Sequence, residues 1–301
     1  MPSIKRPRAK NMNNVDVSRI IQINKPDVKF KDIVGCESAK LFLKDWCFAI
    51  KESDDYYKNF GCEVPKSCLI YGDRGNGKMS LARALCYNTN ALFYNIKITD
   101  IINKWFSESE KNLESIFYDA FRRSEEEKCP AILFFGDLDA IFCPPDHFSR
   151  ESLSLRLSQV LCNLMRGFHN SKDIYILGRT CHIEKVHPDV KQMFDYQFEV
   201  QIPNSKERIK FLEIEREKAY GKCNRKIQVN SDWINADFEL VSKNLEGFSY
   251  IHIQRMFTET LRQKAIAWKN SNSREFYREK SLETISSEDF IKIILENTYI
   301  S

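Results

Sequence analysis

The sequence predicts an α/β fold in which a mostly parallel sheet is covered by helices and followed by a small helical domain. Three observations predict it. Short apolar runs alternate with helix-period segments as far as Ile202-Pro203, and beyond that point the pattern is helical. The run Cys68-Leu69-Ile70-Tyr71 also ends directly in a glycine-rich turn, which good helix formers follow at once.

Residues 1–28 lack periodicity apart from Ile20-Ile21-Gln22-Ile23, and read as a basic tail or linker. Phe30-Lys31-Asp32-Ile33-Val34-Gly35 leads into Ala39–Ile50, whose apolar residues recur at helical spacing. Cys68–Tyr71 is a buried strand, and Leu81–Leu85 the start of a helix. Ala91–Ile96 is a strand, Glu108–Arg123 an amphipathic helix and Ala131–Phe135 a fully apolar strand. Glu151–Arg166 is a helix, and Ile174–Leu177 a strand. The helical part holds Lys206–Lys218, Phe238–Leu245, Tyr250–Lys269 and Ser287–Glu296, with little strand beyond a pair around Ile227-Val229. The expected domains are a tail at 1–28, a large α/β domain at 29–203 and a helical domain at 204–301.

Composition narrows the function classes. Lys+Arg 46 against Asp+Glu 42 gives a net charge of +4. Four of those cations, Lys5, Arg6, Arg8 and Lys10, precede the first acidic residue, Asp16, so the remaining body is balanced. Such a tail suits an acidic surface, whether nucleic acid, anionic lipid or an acidic protein tail, or it is a solvated terminus. Ten cysteines occur without a C-x₂-C pair or matching histidines, which argues against a zinc site or disulfide framework and for a reducing compartment. No apolar run approaches the ~18 residues of a membrane span. The expectation is a cytoplasmic protein, with no membrane partner and none of nucleic acid.

Gly72-Asp73-Arg74-Gly75-Asn76-Gly77-Lys78-Met79-Ser80 matches G-x-x-x-x-G-K-[ST] until Met79 replaces the hydroxyl residue. In such a loop the backbone N–H groups cradle phosphate oxygens, the lysine reaches the β/γ-phosphates and the hydroxyl holds Mg²⁺. A thioether is a poor ligand for Mg²⁺. Lys78 thus supports phosphate binding and Met79 speaks against the metal. The alternative is a glycine-rich turn that binds nothing.

The order of Phe30-x-x-Ile33-x-Gly35, Gly72–Ser80, Lys104–Lys111, Ile132–Asp139 and Glu246-Gly247-Phe248-Ser249 resembles one AAA ATPase module. It most resembles the katanin, spastin, fidgetin and vacuolar-sorting branch, in particular through Asn76-Gly77-Lys78 and Lys104-Trp105-x-x-Glu108-Ser109-Glu110-Lys111. The resemblance spans about residues 29–296 and implies a P-loop fold with a helical lid domain, ATP as cofactor, hexameric rings and microtubules or tubulin as substrate.

Carried over residue by residue, the resemblance exposes losses. In Gly136-Asp137-Leu138-Asp139, Gly136 stands where the family has the metal-orienting Asp, and Asp137 replaces the water-polarising Glu one methylene short. Asp139 survives. Both aspartates also suit turn or cap chemistry after a buried strand. Cys181 replaces the Asn that contacts the γ-phosphate. Gln192 and Met193 stand where adjacent arginines reach the neighbouring subunit's nucleotide, leaving Lys191 as the only cation there. Tyr250-Ile251-His252 replaces small residues that pack beside adenine. Asp73 and Arg74 replace a proline pair. By contrast Lys104-Trp105-Phe106 matches the pore loop that grips a threaded peptide, or else is an aromatic pair tucked into the core.

These losses predict a pseudo-ATPase that binds ATP weakly or not at all, with Mg²⁺ unsupported, acting as a regulatory subunit of a homo- or hetero-oligomeric ring with an active katanin-like relative. Two alternatives stand beside it: a slow microtubule-severing ATPase using Asp137 and Ser80, and a non-catalytic adaptor for acidic protein tails at the cytoskeleton. The short segment before residue 29 leads us to expect no microtubule-interacting helical domain, and the end soon after Ser287-Glu288-Asp289-Phe290 no bracing final helix.

Overall fold

The computed structural model describes residues 21–24, 26–51, 57, 59–97, 101, 106–141, 148–171, 173–222, 233–271 and 284–298. These fall into two compact units. The first draws on residues 1–30, 38–72 and 78–199, and the second on 31–37, 73–77 and 200–301.

The first unit is built on a six-stranded sheet. Its strands are β1 (Ile21–Asn24), β2 (Ser67–Tyr71), β3 (Leu92–Lys97), β4 (Ala131–Gly136), β5 (Ile174–Thr180) and β6 (Tyr196–Glu199). The order is β1-β3-β4-β5-β2-β6. β3, β4, β5, β2 and β6 are parallel, and β1 runs antiparallel along β3. Parallel neighbours need crossovers, and these are α2 (Lys78–Thr89), α3 (Phe106–Glu127), α4 (Phe148–Phe168) and the short α5 (Pro188–Gln192); α1 (Glu37–Lys51) precedes β2.

Every residue of β4 is buried, as a central parallel strand covered on both faces requires. Leu133 and Phe135 share a core with Leu69, Ile176, Ile116 and Phe117, and the Phe117 and Phe135 rings stack at 5.9 Å. Phe134 alternates to the other face, where its ring lies 5.6 Å from Phe93. Each such fully buried side chain contributes roughly 1.5–3 kcal/mol.

Two edge strands depart from the sequence reading. Ile21–Asn24, read as part of a tail, pairs with β3 in the register Ile21↔Ile96 to Asn24↔Phe93. Tyr196–Glu199 pairs with β2, and its largely exposed Tyr-Gln-Phe-Glu carries no apolar run. The start of β2 is tied down by Asp195, whose Oδ2 accepts from Lys66 N (2.7 Å), Ser67 N (2.9 Å) and Ser67 Oγ (3.1 Å).

The second unit holds α6 (Ser205–Lys222), α7 (Phe238–Lys243), α8 (Tyr250–Ser271) and α9 (Ser287–Thr298). Leu212, Phe238, Val241, Ile253, Phe257 and Phe290 are among its core residues. α6 opens on a reciprocal cap: Glu207 N donates to Asn204 Oδ1 (3.0 Å) and Asn204 N to Glu207 Oε2 (2.9 Å). A short parallel pair joins β7 (Ile234–Asn235) to β8 (Ile285–Ser286), whereas Ile227–Val229, where a strand pair was expected, lies outside the described residues.

Candidate nucleotide site

β2 runs straight into the glycine loop, and α2 begins at Lys78. Gly72, Gly75 and Gly77 have φ of 127°, 86° and 91°, a region that side-chain-bearing residues avoid, so the glycines are required by the turn itself. Lys78 is buried, and its Nζ donates to the carbonyl of Gly72, folding the lysine back on the residue that opens the loop. Met79 and Ser80 follow it in the first turn of α2, both half-buried. Asp73 and Arg74 are exposed.

The other part of the first unit's site lies at the carboxyl ends of β4 and β5. Asp137 leaves β4 in a left-handed conformation, φ 56°, and its Oδ1 accepts from Arg179 Nη2 in an ion pair. Arg179 comes from the next strand, because β4 and β5 are neighbours in the register Phe135↔Gly178. Its Nε is buried with no hydrogen-bond partner among the described residues. Thr180 Oγ1 donates to Asp139 Oδ1 at 2.8 Å, and the same hydroxyl oxygen accepts from His182 N at 3.0 Å. Both aspartates are therefore engaged by β5. A Cβ on Gly136 would meet Ile96 O at 3.6 Å and Arg179 Nη2 at 3.7 Å, so a side chain has room there.

Arg179 is the residue at these strand ends that the sequence reading gave no role. The signal was a charged residue closing an otherwise apolar strand, Ile174–Gly178, and it needed the strand order to acquire a partner. Cys181 is half-buried just past the end of β5. Gln192 and Met193 stand elsewhere, beside a cleft of about 310 Å³ that also takes in Lys66, Arg166, His169 and Asp195. Lys104 and Trp105 lie outside the described residues; Phe106 opens α3 in backbone only. The cationic tail lies outside them too.

In the second unit, loop residues 73–77 meet the segment after Glu246. Ile251 N donates to Gly75 O at 3.3 Å. A Cβ on Gly75 would lie 2.2 Å from Ile251 Cγ2 and 2.6 Å from Ser249 Oγ, so these side chains sit directly on the loop. Asn76 is 1% exposed, with Nδ2 donating to Val200 O at 3.4 Å, and its backbone oxygen accepts from Cys36 Sγ at 3.9 Å. Gly35 has φ 70°, and a Cβ there would fall 2.1 Å from Tyr250 Oη and 2.5 Å from Glu207 Oε1. The Tyr250 ring meets Phe211 edge-on at 5.0 Å. Burial, reinforced by the Glu207 carboxylate, pushes the Tyr250 hydroxyl pKa up.

No group of three or more metal-ligating side chains occurs among the described residues, and no described helix is long and apolar enough to cross a membrane.

A parallel sheet whose glycine loop joins β2 to a helix opening on lysine defines the class of phosphate-loop nucleotide folds. Residues 68–202 match the family model described as ATPase family associated with various cellular activities (AAA). It is 29% identical over 191 residues to Protein SAV of Sulfolobus acidocaldarius, covering 63% of this chain and 24% of that protein. It is 28% identical over 195 residues to the Cell division cycle protein 48 homolog of Archaeoglobus fulgidus, covering 64% of this chain and 26% of the relative. The aligned region thus spans about a quarter of the length of these curated relatives.

Proposed function

We propose that this chain is a hydrolysis-deficient AAA subunit that regulates an oligomeric ring whose turnover comes from active, katanin-like relatives acting on microtubules in the cytoplasm. The observation that carries the first part is the ion pair between Arg179 and Asp137. Hydrolysis needs a carboxylate that orients and polarises a water. Asp137 is the one candidate left at that place in the motif, and its Oδ1 already accepts from a guanidinium. Two positions that would supply oxygen to Mg²⁺ are occupied by Met79 and Gly136, which cannot. The ring and its partners rest on the resemblance of the motif series, and the loss of arginines at Gln192 and Met193 extends the defect to the neighbouring subunit's site.

A ladder of repairs tests the reading. With Tyr250 and Ile251, which pack beside the loop segment, also cut back to alanine, Met79→Thr with Gly136→Asp is expected to create Mg²⁺-dependent ATP binding without turnover. Phosphate release should appear only when Asp137→Glu, Arg179→Ala, Cys181→Asn and an arginine pair at Gln192 and Met193 are added. Missing arginine fingers alone cost about 10³–10⁵ in rate. Full turnover from Met79→Thr alone would overturn the proposal.

A further inference from the structure

Tyr250 poses a problem that its own neighbours do not solve. The residue is 8% exposed, and its hydroxyl is buried with no hydrogen-bond partner among the described residues. A buried, unpaired hydroxyl is costly, so packing alone would favour phenylalanine here. The hydroxyl ends against Gly35, where nothing larger than hydrogen fits, and Cys36 beyond it is also left-handed, φ 55°. Phe211 and Glu207 contribute further walls. The space is a slot for a planar aromatic group with a polar edge, and tyrosine fills its shape without satisfying its polarity.

The slot is joined to the phosphate loop within the same unit. Cys36 Sγ reaches Asn76 O, and Ile251, the next residue after Tyr250, both bonds and covers Gly75. We propose that Tyr250 is an internal occupant of a nucleobase slot, and that with Ile251 it closes the glycine loop against adenine nucleotides. The inference rests on reading residues 72–80 as a nucleotide loop, and it makes exclusion of nucleotide a property of two side chains rather than of the loop.

The test is calorimetric titration of the whole chain with ATP, ADP and tripolyphosphate, in EDTA and in Mg²⁺. Wild type should give no measurable heat of binding. Tyr250→Ala should gain ATP and ADP affinity by at least about tenfold, the scale of one recovered stacking contact, and Tyr250→Ala with Ile251→Ala should gain more. Tripolyphosphate, which lacks a base, should not gain on Tyr250→Ala. Tyr250→Phe should bind no better than wild type and melt higher, because only the orphan hydroxyl is lost. Ile251→Ala alone keeps the ring and should gain less than Tyr250→Ala; it is the second variant should the latter not fold. Four results would overturn the inference: a folded Tyr250→Ala without gain, an equal gain for tripolyphosphate, tight ATP binding by wild type, or a lower melting temperature for Tyr250→Phe. None of them bears on hydrolysis, which phosphate release reads separately.

Discussion

Gly136 and Gly178 lie on adjacent strands, and the structure treats them differently. A Cβ on Gly178 would fall 2.7 Å from both Leu138 Cδ1 and Phe194 Cζ, and 3.0 Å from Leu69 Cδ1. On Gly136 the nearest atoms are at ordinary contact distance. Gly178→Ala should therefore cost about 1–3 kcal/mol through overpacking. Gly136→Ala should be neutral or stabilising by up to about 1 kcal/mol, since glycine's extra freedom in the unfolded chain is lost. Urea denaturation of the two variants checks this, and an equal loss for both would contradict it. The result matters because it would show that nothing steric compels glycine at position 136. At this scale the glycine loop and the two aspartates after β4 were legible in the sequence. The grip of Arg179 on Asp137 was not, because its partners are separated by 42 residues and meet only once β4 and β5 are neighbours.

The elements divide by burial. β2, β4 and β5 are central strands whose covered faces force continuous apolar runs, so each announced itself. The edges did not. β6 is half solvated and spells Tyr-Gln-Phe-Glu, while β1 is four residues long and draws its pairing from β3. α5 is five residues long, too short for a periodic signal, although Pro188 at its start behind the capping His187 marks it. Asp195 belongs to this scale because its side chain joins two elements, β2 and the turn into β6. Its carboxylate serves two backbone N–H groups and the Ser67 hydroxyl, whose oxygen in turn accepts from Asp195 N at 3.0 Å. Asp195→Ala should destabilise by about 1.5–3 kcal/mol, the range for hydrogen bonds to a charged group. Asp195→Asn, which keeps an acceptor, should lose less. A urea midpoint unchanged in Asp195→Ala would show that the clamp is not what holds the start of β2.

For the molecule as a whole, a parallel sheet entered by a glycine loop sets the frame, and the side chains at the loop and at the strand ends are held by contacts within each unit. Lys78 is turned back on Gly72, Asp137 is paired with Arg179, Asp139 with Thr180, and Gly75 lies under Ile251. Each of these contacts engages, from within the chain, a group at the glycine loop or at the strand ends. The central claim is that this chain does not turn over ATP, and steady-state phosphate release by the purified protein at saturating ATP and Mg²⁺ tests it most directly, with an active AAA ATPase run in parallel. The account predicts a rate indistinguishable from the buffer blank and unchanged by Lys78→Ala. Release near the rate of the active enzyme, abolished by Lys78→Ala, would contradict it.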